Sequence, residues 1–221
     1  MSDCKAILGE AKMSGETEGL GHVYDVDGSE AAQNAYNDWA ASYDADNVGK
    51  GYRIPWLAAA FFARHVPLGS GPILDAGCGT GLVGEALSIL GYDNVVGADL
   101  SPKMLKLASS LGVYERHYMH DLAEPLPETD DYFAAVACIG SLGPGHAPAS
   151  CLAEFIRVTR PGGKVILNVR HDTYEEQGLK AVVESHKTSK QWMQVAASPV
   201  FRPFLLAEPN VTAQLQVYAV L

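Results

Sequence analysis

The residues best placed to do chemistry lie in Ile73-Leu74-Asp75-Ala76-Gly77-Cys78-Gly79-Thr80-Gly81. A strand that enters a helix through three glycines lets backbone approach a bound molecule where any Cβ would clash. The helix that follows offers free N–H groups to an anion such as a carboxylate or phosphate. Asp99 stands 20 residues beyond Gly79, at the end of the next apolar run, where a carboxylate can accept hydrogen bonds from ribose hydroxyls. Asp121 follows a third such run, on the same rim, where it can accept from an adenine amino group. It can also cap a short turn from Leu122 onward, which Pro125 and Pro127 keep brief.

Gly79, Gly81 and Gly84 also spell G-x-G-x-x-G, a spacing that dinucleotide enzymes share and that is weak on its own. Charge separates the two ligand classes. Residues 73–102 contain no Lys or Arg but carry Asp75, Glu85, Asp93 and Asp99. An acid beside the turn repels a pyrophosphate, although the helix dipole offsets part of that. S-adenosylmethionine brings an ammonium and a sulfonium, which acids attract, and one carboxylate for the helix end. The alternative is a tight strand–helix turn that binds nothing.

Other candidates flank this segment. Tyr36, Trp39 and Tyr43 share a helical face by spacing. They can form an aromatic lid, since ring faces attract a sulfonium as they do other cations, or an ordinary packed face. Arg53 can pair with a ligand carboxylate or be a solvated surface residue. Displacement at a sulfonium needs chiefly alignment, and a general base only where the acceptor must lose a proton. His146 and His171, in loops after the fourth and fifth strands, are the candidate catalytic bases, each against a reading as a surface histidine. No Asn/Asp-Pro-Pro-aromatic motif, Pro-Cys nucleophile or metal-ligand cluster is present.

These residues need a scaffold. Residues 1–28 are glycine-rich and are expected to form a flexible leader, with one domain over residues 29–221. Helices are expected from Ser29, as N-cap, and from Pro55 to His65. Strand and helix then alternate: strand Pro72–Asp75, helix Leu82–Leu90, strand Val95–Asp99, helix Pro102–Leu111, strand Arg116–Met119, strand Tyr132–Ile139, helix Pro148–Thr159 ended by Pro161-Gly162-Gly163, strand Lys164–Arg170, and helix Tyr174–His186. Two strand-like runs close the pattern, Trp192–Ala196 (with Pro203–Ala207 as a continuation) and Ala213–Leu221. Such alternation argues for a parallel α/β sheet, Rossmann-like, covered on both faces, with ligand at the carboxyl ends of the strands. A net charge of −10 disfavours nucleic acid, whose binders neutralise phosphates with Lys and Arg. Cys4, Cys78, Cys138 and Cys151 form no C-x-x-C pair and are expected to be reduced thiols of a cytoplasmic protein. No apolar run approaches a membrane span.

Ile73–Gly81, Gly97-Ala98-Asp99-Leu100-Ser101-Pro102, His120-Asp121-Leu122 and Arg160-Pro161-Gly162-Gly163 together resemble the class I S-adenosylmethionine-dependent methyltransferases, of the small type 11 group. The resemblance spans about Tyr36 to Arg170. With Trp39-Ala40, Tyr43-Asp44, Tyr52-Arg53 and Glu124-Pro125-Leu126-Pro127 it is most similar to the methyltransferase-like proteins of the Williams–Beuren region. It implies Gly77, Gly79 and Gly81 around the methionine moiety, Asp99 on ribose, Asp121 and Leu122 at adenine, and Tyr43 near the cofactor. Cys78, Leu100, Met104 and Cys138 complete the candidate cofactor contacts. One departure is Phe133-Ala134, where the family often reads Phe-Asp, a residue that supports structure. The resemblance further implies a seven-stranded, mostly parallel sheet with an antiparallel last strand. The expected activity is methyl transfer to a small-molecule or protein acceptor. A non-catalytic S-adenosylmethionine-binding partner or sensor, and an NAD(P)-dependent oxidoreductase (for which Tyr-x-x-x-Lys is missing), are the alternatives.

Overall fold

The computed structural model describes residues 28–143, 145–171, 173–174 and 178–221. The expected leader, apart from Gly28, lies outside the described residues, as does Cys4. Three helices come first: α1 (Ser29–Trp39), α2 (Tyr43–Gly49) and α3 (Ile54–Ala63). Then follow β1 (Ile73–Ala76), α4 (Leu82–Ile89), β2 (Val95–Asp99), α5 (Pro102–Leu111), β3 (Arg116–Met119), β4 (Phe133–Cys138), α6 (Cys151–Val158), β5 (Thr159–Arg170), α7 (Leu179–Thr188), β6 (Trp192–Ala197) and β7 (Ala213–Val220). The sheet order is β3-β2-β1-β4-β5-β7-β6. Neighbours from β3 to β5 pair in parallel, and β7 runs antiparallel to both β5 and β6.

Local chemistry sets several boundaries. Ser101 caps α5 by accepting from the Met104 amide at 3.1 Å, Pro102 occupies its first turn, and Gly112 ends it at φ 65°, as an N-cap serine and a left-handed terminal glycine should. Along β1 side chains alternate between two cores. Leu74 and Ala76 join the cluster containing Phe155 of α6 and Trp192, while Ile73 joins the one under Phe62 of α3 and Leu87 of α4. The buried strands thus read as continuous apolar runs because helices cover both faces.

Several boundaries differ from the sequence expectation. The first helix begins at Ser29 with Gly28 as N-cap, at φ 87°. The sixth helix starts at Cys151, three residues after Pro148. β5 begins at Thr159, because Phe133 pairs with Thr159 ahead of the register shift and the Pro161-Gly162-Gly163 segment stays in the strand. Residues 203–207 are not a strand; Phe204 makes one isolated bridge with Tyr52. The seven-residue α2 was not anticipated. Among the described residues, no helix is long and apolar enough to cross a membrane.

Candidate active site

The registers Ala76 with Ala98 and Asp75 with Ala137 bring the carboxyl ends of β1, β2 and β4 level. A cavity of about 350 Å³ opens at that edge, within the size range of small-molecule sites. Its floor is the glycine turn. Gly77 has φ 77°, and a Cβ there would lie 2.1 Å from Ser141 Oγ. Gly79 has φ 55°, and a Cβ there would meet nothing within 4 Å. Gly77 is therefore required by the protein's own packing, whereas Gly79 leaves an open cradle. Leu82 and Val83, at the N-terminus of α4, form the adjoining wall, which favours a carboxylate.

Asp99 faces the cavity from the end of β2. Its Oδ2 accepts from the Gly79 amide at 2.7 Å and its Oδ1 from the Ser101 amide at 2.8 Å. These bonds fix the carboxylate and leave each oxygen a further lone pair for a hydroxyl. Burial raises its pKa, and the amides of Ser101, Gly79 and Leu100 pull it back. Asp121 also lines the cavity while its Oδ1 accepts from the Ala123 amide at 2.8 Å, so the turn-capping and rim positions coincide. Tyr43, Cys78, Leu100, Met104 and Leu122 lie on the wall as well. Burial, with Asp75 and Asp99 adding, pushes the Cys78 thiol far up, which leaves it a neutral contact and not a nucleophile.

Five expected site residues are placed elsewhere. Asp75 is fully buried behind β1, where its Oδ2 accepts from Tyr114 Oη at 2.7 Å. Burial raises its pKa to about 7, against the opposing Tyr114 hydrogen bond, so near neutral pH it carries only part of a charge. Gly81 (φ 98°) packs under α5, where a Cβ would lie 2.8 Å from Leu111. Cys138 is in the core beneath β4. Arg53 is turned away: its Nε donates to the Arg202 carbonyl at 3.0 Å and its amide to Pro203, and its guanidinium stands 5.8 Å from the Phe201 ring. His171 is exposed, with its amide on Thr212.

His146, by contrast, lies on the cavity wall, with Nε2 2.5 Å from Tyr36 Oη. Tyr36, Trp39 and Tyr43 do cluster, but across the α1–α2 break, with Trp39 and Tyr43 rings 4.6 Å apart. Helices α1 and α2 are tied to the rim by Gln33 to the Leu100 carbonyl (2.8 Å), Ser101 Oγ to Asn37 (2.8 Å) and Thr80 Oγ1 to Asp44 (2.7 Å). They bring Gly28, Ser29 and Ala32 to the wall, and Ser141 reaches it from beyond β4. Sequence reasoning missed these. The polar Gln33 and Asn37 on an alanine-rich helix were the available signal.

Among the described residues lining the cavity there are two Asp and no Lys or Arg. Such a wall suits a cationic nucleoside and repels a pyrophosphate, and the acids that carry this preference are Asp99 and Asp121, not Asp75. Among the described residues no cluster suited to a metal ion occurs. The fold and site define a nucleoside-binding α/β protein of the doubly wound kind.

Comparison with known proteins narrows that class. The family described as "Methyltransferase domain" matches residues 74–167. The human "Methyltransferase-like protein 27" is 36% identical over 176 residues, 76% of this chain and 70% of that protein. The "Ubiquinone biosynthesis O-methyltransferase" of Dechloromonas aromatica is 34% identical over 123 residues, 52% of this chain and 49% of its own length; the chain thus spans about half of that relative. A TehB-like SAM-dependent methyltransferase from Corynebacterium glutamicum shares the fold, with a TM-score of 0.63 at 22% identity over 85% of this chain and all of that one. The chain belongs to the S-adenosylmethionine-dependent methyltransferases, and S-adenosylmethionine is its cofactor. The dehydrogenase alternative falls with that.

Proposed function

We propose that the cavity between the glycine turn and α1 is the cofactor site of a methyltransferase acting on a small molecule in the cytoplasm. The observation that carries the site assignment is the acid-lined, Lys- and Arg-free wall around the open Gly79 cradle. In this reading Gly77 and Gly79 pass under the methionine moiety, the α4 N-terminus meets its carboxylate, Asp99 takes the ribose hydroxyls, and Asp121 and Leu122 border adenine. The bound cofactor supplies a methyl group on positively charged sulfur, with a good leaving group. The protein's part is alignment and exclusion of water. Tyr36 and Tyr43 present ring faces that favour the positive charge, and α1 covers the cavity. His146, paired with Tyr36, is the group positioned to take a proton from an acceptor. The free, buried thiols of Cys78, Cys138 and Cys151 support a reducing compartment. An oxygen acceptor is consistent with the names of the ubiquinone-biosynthesis relatives.

Calorimetric titration tests the site. S-adenosylmethionine and S-adenosylhomocysteine should bind and NADH should not. Asp99→Ala should weaken binding of both adenosyl ligands by about 1–3 kcal/mol. Binding of NADH would sink the assignment, as would undiminished affinity in the Asp99 variant.

A further inference from the structure

Behind the glycine turn the protein has a slot for one phenol ring. Tyr114 lies against Gly81, Gly84 and Gly97, where an added Cβ would stand 3.3, 2.3 and 3.2 Å from its ring atoms. Gly84, the third glycine of the G-x-G-x-x-G spacing, is therefore required by this ring and not by a phosphate. Tyr114 Oη donates to Asp75 Oδ2 at 2.7 Å. The other oxygen, Oδ1, has no hydrogen-bond partner among the described residues, and Asp75 is 1% exposed. The groups that face this carboxyl are Asp99 of β2, Cys78 of the turn, Cys138 of β4 and Tyr114, with the Gly84 amide from α4. None of these is a cation. The Cys78 thiol borders the cavity on one side and the Tyr114–Asp75 pair on the other, since a Cβ at Gly97 would lie 3.1 Å from its Sγ.

We propose that Asp75, seated by Tyr114, makes the site prefer S-adenosylmethionine to its demethylated product, S-adenosylhomocysteine, by the charge on sulfur, a reading that rests on the cofactor site assigned above. Both ligands carry an ammonium and a carboxylate, so they differ by one methyl group and one positive charge. A buried carboxyl with an unpartnered oxygen and a second carboxylate nearby takes up a proton, because burial and a like charge both disfavour ionisation. Burial raises the Asp75 pKa to about 7, with Asp99 adding, against the Tyr114 and Gly84 hydrogen bonds. A sulfonium in the cavity opposes that rise, since an opposite charge favours the ionised form, and salt screens a buried group little. Asp75 therefore releases its proton to solvent as the cation binds. Transfer of the methyl group leaves the bonding electron pair on a neutral sulfur. An ionised Asp75 then faces no cation and takes a proton back from solvent, so the attraction that held the cofactor is withdrawn from the product. Asp99 and Asp121 give the wall its negative sign, and Asp75 adds from behind it a charge that follows the ligand. Tyr114 is the positioning residue: it orients the carboxyl, and its hydrogen bond keeps the proton exchangeable near neutral pH.

Calorimetry in two buffers of different ionisation enthalpy counts the proton. The probes are S-adenosylmethionine, S-adenosylhomocysteine and sinefungin, an analogue with an amine in place of the methylated sulfur, each titrated into the full chain. At about pH 6.5 the two ligands charged at that position should each release about half a proton, and S-adenosylhomocysteine close to none. The ratio of S-adenosylmethionine to S-adenosylhomocysteine affinity should rise about fivefold from about pH 5.5 to about pH 8. Below that window Asp75 is neutral with either ligand and adds nothing; above it Asp75 is ionised and attracts the sulfonium in full. Asp75→Asn should still bind both ligands, release no extra proton with the charged ones, and hold the ratio flat at its low-pH level. Tyr114→Phe removes a hydrogen bond that favours the ionised form, so it should move the rise to higher pH. A merely structural role for Tyr114 would weaken both ligands alike and leave the midpoint in place. Equal proton release with the charged and neutral ligands would overturn the proposal, as would a ratio that does not change with pH. A pH-dependent ratio that survives Asp75→Asn would assign the proton to Asp99 and overturn it too. The wild-type ligand series and the Tyr114→Phe shift decide if the Asn variant fails to fold. A wild-type chain that binds neither adenosyl ligand would bring down the cofactor-site reading and this one with it, an outcome separate from all of these.

Discussion

Gly77 and Gly79 are both left-handed, yet alanine should fail at each for a different reason. At Gly79 the added methyl meets only open space in the protein, so the stability loss should be the conformational penalty alone, about 1–2 kcal/mol, while cofactor affinity falls further. At Gly77 it meets Ser141 at 2.1 Å, and overpacking of about 1–3 kcal/mol should add to that penalty. Urea unfolding and calorimetry on both variants separate these effects; equal stability losses would contradict the packing. Asp75 offers a second test. Its folded pKa is raised from 3.8 to about 7, so between those values the folded chain holds a proton that the unfolded chain has lost. Stability should therefore fall as pH rises through that window, with the penalty complete above it. Asp75→Asn removes the titration and should gain on wild type by about 2–4 kcal/mol from pH 4 to 8. A stability difference that stays flat with pH, in melts of the two proteins, would refute it. The acid before the glycines was legible in the sequence, but its charge state was not. Neutralisation comes from burial, with Asp99 adding to it, against the hydrogen bond from Tyr114, a residue 39 positions away.

Among the elements, α1 and α2 have the most to lose from small changes. Hydrogen bonds from Ser101 to Asn37 and from Thr80 to Asp44 join them to the cavity rim. The double variant Asn37→Ala, Thr80→Val should lose about 1 kcal/mol per bond. It should raise amide exchange across residues 29–49 and weaken cofactor binding, while exchange in β1 and β4 stays slow. Unchanged exchange in α1 would mean that packing, not these bonds, holds the cap. The strands and helices that the sequence marked best were those with local punctuation, such as α5 between Ser101-Pro102 and Gly112. Elements fixed by distant partners were missed or misplaced. The seven-residue α2 is too short to stand by itself and depends on the Trp39 indole N–H donating to Asp46 at 2.7 Å. The start of β5 depends on Phe133 pairing with Thr159 across a glycine segment that reads as a turn. Arg53, expected at the cofactor, is drawn off by the same bridge at Tyr52 and Phe204 that the alternation of strands could not reveal.

For the whole molecule, 26 acidic residues against 16 basic ones predict no measurable retention of tRNA or duplex DNA at physiological salt. Filter binding checks this, and a salt-sensitive complex would show that a basic surface outweighs the net charge. The sheet architecture was legible because alternating buried strands and helices admit few topologies, but the antiparallel direction of β7 came only from the family resemblance, and its place in the sheet was not legible at all. Inserted between β5 and β6, β7 joins the sheet after both of its neighbours have been made. While the chain is being synthesised, β5 has β4 on one side and nothing on the other until residues 213–220 emerge. Its run of Val165, Ile166, Leu167 and Val169, all buried in the finished protein, is then an open and sticky edge. The nascent protein is therefore most exposed to aggregation, and most in need of a chaperone, in the interval between translation of residue 170 and arrival of residue 220.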